Sequence, residues 1–123
     1  MTVAHVAVNV GDWEAAKGFY EAVLGPLGYR IVYEEDGALA YFADRQGLDF
    51  GMGRRDPVGG AHVAFDCPDR ETVDAFYANA LGAGARDNGP PGIRAVYDAN
   101  YYAAYVLDPD GNNIEAVCHH APS

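Results

Sequence analysis

The sequence predicts one α+β domain made from two copies of a strand–helix–strand–strand–strand unit. Three observations predict it. The chain repeats itself at an offset of 57 residues: between residues 5–25 and 62–82, nine of twenty-one positions are identical without a gap. They are His5/His62, Val6/Val63, Ala7/Ala64, Asp12/Asp69, Glu14/Glu71, Phe19/Phe76, Tyr20/Tyr77, Leu24/Leu81 and Gly25/Gly82. Second, each copy passes from a β-branched run to apolar residues at helical spacing. Third, each helix is followed by three strand candidates separated by turn-forming residues. The period is too long and the copies too few for a solenoid, so a duplicated supersecondary unit is the reading.

The elements follow in order. Residues 3–10 and 61–67 are short β-branched runs that read as strands. Asp12 and Asp69 come next, placed to cap a helix, with Glu14 and Glu71 near its positive end. Trp13, Ala16, Phe19, Tyr20, Val23 and Leu24 then recur at helical spacing, as do Val73, Phe76, Tyr77, Ala80 and Leu81. Gly25 and Gly82 stand where a left-handed C-terminal cap is expected. In the first half, strands are predicted over 29–34, 38–43 and 48–53. In the second half 85–87 is short, 88–92 is a Gly/Pro-rich loop, and 101–107 and 113–118 are strong strands. The turn Asp108-Pro109-Asp110-Gly111 joins the last two. Residues 1–123 are therefore one domain, with module 1 at about 1–57 and module 2 at about 58–120.

Composition narrows the function classes. Half the residues are hydrophobic and 21% are charged, an ordinary globular balance. Eighteen acids against eight bases give a formal charge of −10, a field that repels nucleic acid and anionic membrane. A small molecule is the expected partner. Cys67 and Cys118 lack metal or redox spacing and sit among apolar strand residues, which predicts reduced core thiols and a cytoplasmic protein. No stretch reads as a signal peptide or a membrane span.

The strand period of two brings out the candidate site. Val6, Val8 and Val10 form an apolar face, turning His5, Ala7 and Asn9 the other way; Val63, Phe65 and Cys67 do the same to His62, Ala64 and Asp66. On the last strand of each half, Leu48, Phe50 and Met52 alternate with Asp49, and Ile114, Ala116 and Cys118 alternate with Glu115. His5, Asp49, His62 and Glu115 thus form a two-fold set, histidine with histidine and acid with acid. If the modules' sheets curve around a common cleft, the four converge. Two imidazoles with one or two carboxylates suit Fe(II), Mn(II), Ni(II), Co(II) or Zn(II). Glu115 or Asp49 is the candidate catalytic base. The segment 88–102 is expected to shape the pocket mouth, with Arg94, Tyr97, Tyr101 and Tyr102 as candidate substrate contacts. His119 and His120 are expected at the surface, and Arg54-Arg55 in a loop.

The residues resemble the vicinal oxygen chelate superfamily of glyoxalases, bleomycin-resistance proteins and extradiol dioxygenases. The resemblance runs through His5-Val6-Ala7-Val8, Phe19-Tyr20 with Val23-Leu24-Gly25, His62-Val63-Ala64-Phe65, and Asp108-Pro109-Asp110-Gly111-Asn112 leading to Ile114-Glu115. It implies tandem βαβββ modules forming a curved, largely antiparallel eight-stranded sheet around a metal cleft, in a homodimer whose modules can pair across the subunit interface. It places metal ligands at His5, His62 and Glu115, with a fourth at Asp49. It also implies a lyase, isomerase or dioxygenase acting on adjacent oxygens of a small substrate. The alternative it leaves open is a protein that sequesters an antibiotic without turnover. Asn9 stands where glutathione-using glyoxalases carry an arginine, which disfavours that substrate and makes Asn9 a candidate substrate contact.

Overall fold

The computed structural model describes residues 5–47 and 49–122. Leu48 and the first two residues of the strand expected over 3–10 lie outside them. Module 1 comprises β1 (His5–Val10), α1 (Trp13–Leu24), a 3-10 turn (Gly25–Leu27), β2 (Arg30–Glu35), β3 (Leu39–Ala43) and β4 (Asp49–Arg54). Module 2 comprises β5 (His62–Asp66), α2 (Arg70–Gly82), β6 (Arg86–Ile93), β7 (Tyr102–Leu107) and β8 (Asn113–Cys118). The α+β class and the duplicated unit are as the sequence predicts.

The sheet differs from the expected one. Its strands form two four-stranded sheets, ordered β1-β4-β3-β2 and β5-β8-β7-β6, rather than one ladder of eight. In each, the first strand pairs in parallel with the last, and the other two pairings are antiparallel. Parallel pairing of the first and last strands is what the intervening helix and two hairpins allow in a unit this short.

Both helices start where expected. Asp12 Oδ1 accepts from the Ala15 N–H at 3.1 Å and Asp69 Oδ1 from the Thr72 N–H at 2.7 Å. Their C-terminal ends fall later. Gly25 is right-handed (φ −53°) and opens the 3-10 turn, and Gly82 is still helical; the left-handed glycines are Gly28 (φ 91°) and Gly84 (φ 96°). Pro26 explains the first case, since its ring presets a helical φ and it needs no donor in a first turn. Residues 88–92, expected as a loop, belong to β6. That strand is an edge with register shifts at Asp87/Gly89 and Gly89/Gly92, and an edge tolerates the missing N–H groups of Pro90 and Pro91.

One core serves both modules. It holds the apolar faces of β1 and β5, both helices, and the apolar residues of β4 and β8. Phe50 meets Phe65 across the modules at 5.3 Å between ring centroids, and Tyr29 meets Phe65 at 5.6 Å. The face of each sheet that carries the candidate ligands is therefore turned away from the shared core. Among the described residues, no helix is long and apolar enough to cross a membrane.

Burial pushes the Cys67 thiol up to about 12, from an ordinary value of 9.0. As pH rises the unfolded chain loses this proton first, so the stability the thiol carries is intact below about pH 9 and lost towards 12. We expect the urea midpoint to fall across that window, and to fall less in Cys67→Ala. An identical fall in both proteins excludes the thiol as its source.

Candidate metal centre

The outer face of module 2 holds the denser half of the site. His62 on β5 and Glu115 on β8 lie one pleat apart on neighbouring parallel strands, where Ala64 is the register partner of Glu115. His62 Nε2 stands 3.2 Å from Glu115 Oε1, and the carboxylate is only 2% exposed. Tyr101 covers it and donates its O–H to Glu115 Oε2 at 2.5 Å. Burial, with the Glu115 hydrogen bond and charge behind it, holds the Tyr101 phenol well above its usual range, so it remains a donor at neutral pH. Burial first and Glu115 second also raise Tyr105, the residue opposite Glu115 on β7.

The imidazole's other nitrogen decides its protonation. His62 Nδ1 lies 3.0 Å from the Asn113 carbonyl oxygen, which can only accept, so Nδ1 carries a hydrogen. The lone pair of a neutral His62 then sits on Nε2 and faces a carboxylate oxygen. Two acceptors cannot share that approach without a cation between them. A proton or a metal ion fits there, and a backbone carbonyl behind a ligating histidine is the usual arrangement for a metal.

Module 1 presents a sparser half. His5 and Asp49 are register partners on β1 and β4, and His5 meets Tyr41 edge-on at 5.7 Å. The expected acid-with-acid symmetry fails here. Ala7 pairs with Gly51 where Ala64 pairs with Glu115, so the counterpart of Glu115 is Gly51, and Asp49 is the counterpart of Asn113. A Cβ on Gly51 would lie 2.5 Å from Tyr41 Cε1, so the tyrosine ring takes the space a carboxylate stem would need. The connections before β4 and β8, residues 44–48 and 108–112, are equal in length, so Asp49 aligns with Asn113 and matching acid with acid misread the register by two residues.

The chain does not bring the four candidates together. Among the described residues, no three His, Cys, Asp or Glu side chains lie close enough to hold one metal ion. His62 and Glu115 meet; His5 and Asp49 lie on the other module's outer face. Of the substrate candidates, Tyr101 joins Glu115, Tyr97 stacks on Tyr101 at 4.8 Å, and the Arg94 guanidinium lies 5.3 Å from the Tyr105 ring centre. Tyr102 faces the opposite way, donating to Asp74 of α2 at 2.6 Å beneath Arg70. Asn9 is on the module 1 face, its amide donating to the Pro57 carbonyl at 3.0 Å. Sequence reading missed Tyr105 and His119. The strand period counted from Glu115 across β7 points to Tyr105. His119 is exposed as expected yet packs edge-on to Tyr101 at 5.2 Å, which only the fold brings about.

The duplicated βαβββ architecture is matched in known proteins. Residues 2–116 match the glyoxalase/bleomycin resistance protein/dioxygenase superfamily. The chain belongs to that superfamily. A crystal structure of a glyoxalase/bleomycin resistance protein from Albidiferax ferrireducens T118 is 32% identical, with TM-score 0.80 over 94% of this chain and 97% of that one. A glyoxalase-related enzyme from Fulvimarina pelagi (19% identical, TM-score 0.77, 96% and 88% covered) shares the fold. So does a lactoylglutathione lyase from Agrobacterium tumefaciens (20% identical, TM-score 0.73, 95% and 92% covered). No curated protein matches the chain. Superfamily membership supports an enzyme role at the family level, in a superfamily that generally binds a divalent metal.

Proposed function

We propose that this superfamily member is a divalent-metal-dependent enzyme, a lyase, isomerase or dioxygenase acting on a small molecule through two adjacent oxygens. One observation carries the reading: the Asn113 carbonyl fixes the His62 tautomer so that the Nε2 lone pair and Glu115 Oε1, 3.2 Å apart, stand side by side as two donors for one metal ion. His62 and Glu115 would hold the metal, with His5, and Asp49 beside it, coming from module 1 of a second copy. A bound divalent ion supplies Lewis acidity, stabilising negative charge on the substrate's oxygens. Tyr101 keeps one carboxylate oxygen of Glu115 occupied and the other aimed at His62. Asp49, half-buried and without an ion-pair partner among the described residues, is the better placed carboxylate to move a substrate proton. Tyr97, Tyr101 and Arg94 border the site.

The same geometry supports a homodimer. Each module turns its polar face away from the shared core, so the module 1 face of one copy can close over the module 2 face of another about a two-fold axis. Mixing His5→Ala with Glu115→Gln tests both points. Each variant alone is expected to lose tight Co(II) binding. In re-equilibrated mixtures about a quarter of the sites regain it, because half of the dimers then carry one intact site. No recovery in mixtures, with the variants folded and dimeric, refutes a site shared between copies. Full turnover by metal-free protein refutes the metal reading, and tight ligand capture without turnover describes a sequestering protein instead.

A further inference from the structure

A second hollow lies on the outer face of module 1, beyond the His5 end, and its chemistry is opposite to that of the chain as a whole. It has a volume of about 480 Å³ and is lined chiefly by Ala7, Asn9, Tyr41, Gly53, Arg54 and Arg55. Its floor is nearly bare of side chains. Ala7 pairs with Gly51 and Asn9 with Gly53, so two adjacent rungs of the β1–β4 ladder present one methyl, one carboxamide and two glycines. The Tyr41 ring covers Gly51 at one end. At the other end the Arg55 side chain folds back over the strand, with Nε 4.0 Å from where a Gly53 Cβ would stand.

The charges set this hollow apart. The chain has eighteen acids and eight bases, yet no Asp or Glu lines the hollow while two arginines do. Neither arginine forms an ion pair among the described residues; both also line the adjoining depression with Val10, Gly11 and Asp56, yet the Asp56 carboxylate is in ion-pair contact with neither. A guanidinium laid along a bare, partly aromatic floor and left without a carboxylate suits an oxyanion brought by a ligand. Asn9 gives one N–H to the Pro57 carbonyl and keeps its Oδ1 and second N–H for a polar group of that ligand.

We propose that this hollow is an oxyanion-binding subsite, in which Arg55 holds the carboxylate or phosphate of a small organic acid whose apolar part lies on Tyr41 and Ala7. The outer row His5, Ala7, Asn9 spans four strand residues, about 13 Å. The substrate class is therefore an oxygenated acid of about that length, with its anion at the Arg55 end and its adjacent oxygens at the His5 end. What happens at the His5 end rests on the metal-centre reading; anion binding does not, and is tested without metal.

The test titrates chelator-treated protein with 3-phenylpropionate, phenethyl phosphate and the neutral 3-phenylpropionamide, followed by ligand-observed NMR. Binding of either anion but not of the amide, weakened by added salt and at least about tenfold by Arg55→Met, is the expected result. A preference between the two anions then assigns the group as carboxylate or phosphate. Ala7→Leu, which fills the floor from the other strand, should abolish binding, and Arg86→Met, an exposed arginine elsewhere, should not change it. Equal binding of acid and amide, unchanged affinity in folded Arg55→Met, or no anion binding by the unsubstituted protein overturns the proposal. Co(II) affinity, unaffected by Arg55→Met, separates this outcome from failure of the metal centre.

Discussion

Asp108→Ala is expected to destabilise the protein by about 3–5 kcal/mol. Asp108 is 1% exposed and accepts four hydrogen bonds. They come from the Tyr20 O–H at 2.5 Å, the Asp110 N–H at 2.9 Å, the Asn112 N–H at 2.8 Å and Asn112 Nδ2 at 2.9 Å. Tyr20 belongs to α1 of module 1, while Asp108 opens the β7–β8 turn of module 2. Asn112, fully buried, continues the seam by accepting from the Ala61 N–H at 3.1 Å and reaching the Asn9 carbonyl at 3.4 Å. Gly11 closes it, donating to Asp110 Oδ1 at 2.9 Å. Removing the carboxylate strands several buried donors at once, at about 1–3 kcal/mol each before relaxation. Urea unfolding measures the loss, and a change below about 1 kcal/mol would mean that water replaces the carboxylate freely. Tyr20→Phe removes one of the four bonds and should cost clearly less.

Glu115→Gln should lower affinity for Co(II) or Zn(II) by at least about 100-fold while leaving the protein folded. Even a group that only orients a metal ligand is worth about 10–100-fold, and a ligand is worth more. The reason for choosing the amide is geometric. Its oxygen can still accept from Tyr101, and its N–H₂ then faces His62 Nε2, which holds a lone pair because Nδ1 donates to the Asn113 carbonyl. The clash of two acceptors becomes an ordinary hydrogen bond, and the demand for a cation vanishes. Melting temperature should stay level or rise, since a buried charge has been removed. Calorimetric titration reads the affinity; a change of less than about threefold would show that Glu115 is not a ligand.

How much of this was legible in the sequence can be judged residue by residue. Asp12 and Asp69 cap their helices as expected because capping is decided within one turn. The outward placement of His5 and His62 was legible for the same reason, since strand alternation is local. The pairing register was not. Nothing in residues 29–53 reveals that Gly51, and not Asp49, stands opposite Ala7, because register depends on how two hairpins close against β1. Tyr102 was misplaced by one pleat, and Tyr105 overlooked, through the same dependence.

By itself, then, the amino-acid order determined the duplication, the α+β class, the helix starts and which face of each first strand is polar. These depend on side-chain periodicity and on hydrogen bonds between residues a few places apart. The tertiary structure alone decided that the sheets remain two ladders of four, that Glu115 lies buried between His62 and Tyr101, and that His5 and Asp49 look out from the other module. Those outcomes come from packing two apolar faces and two helices into one core, a competition among contacts between residues distant in the chain.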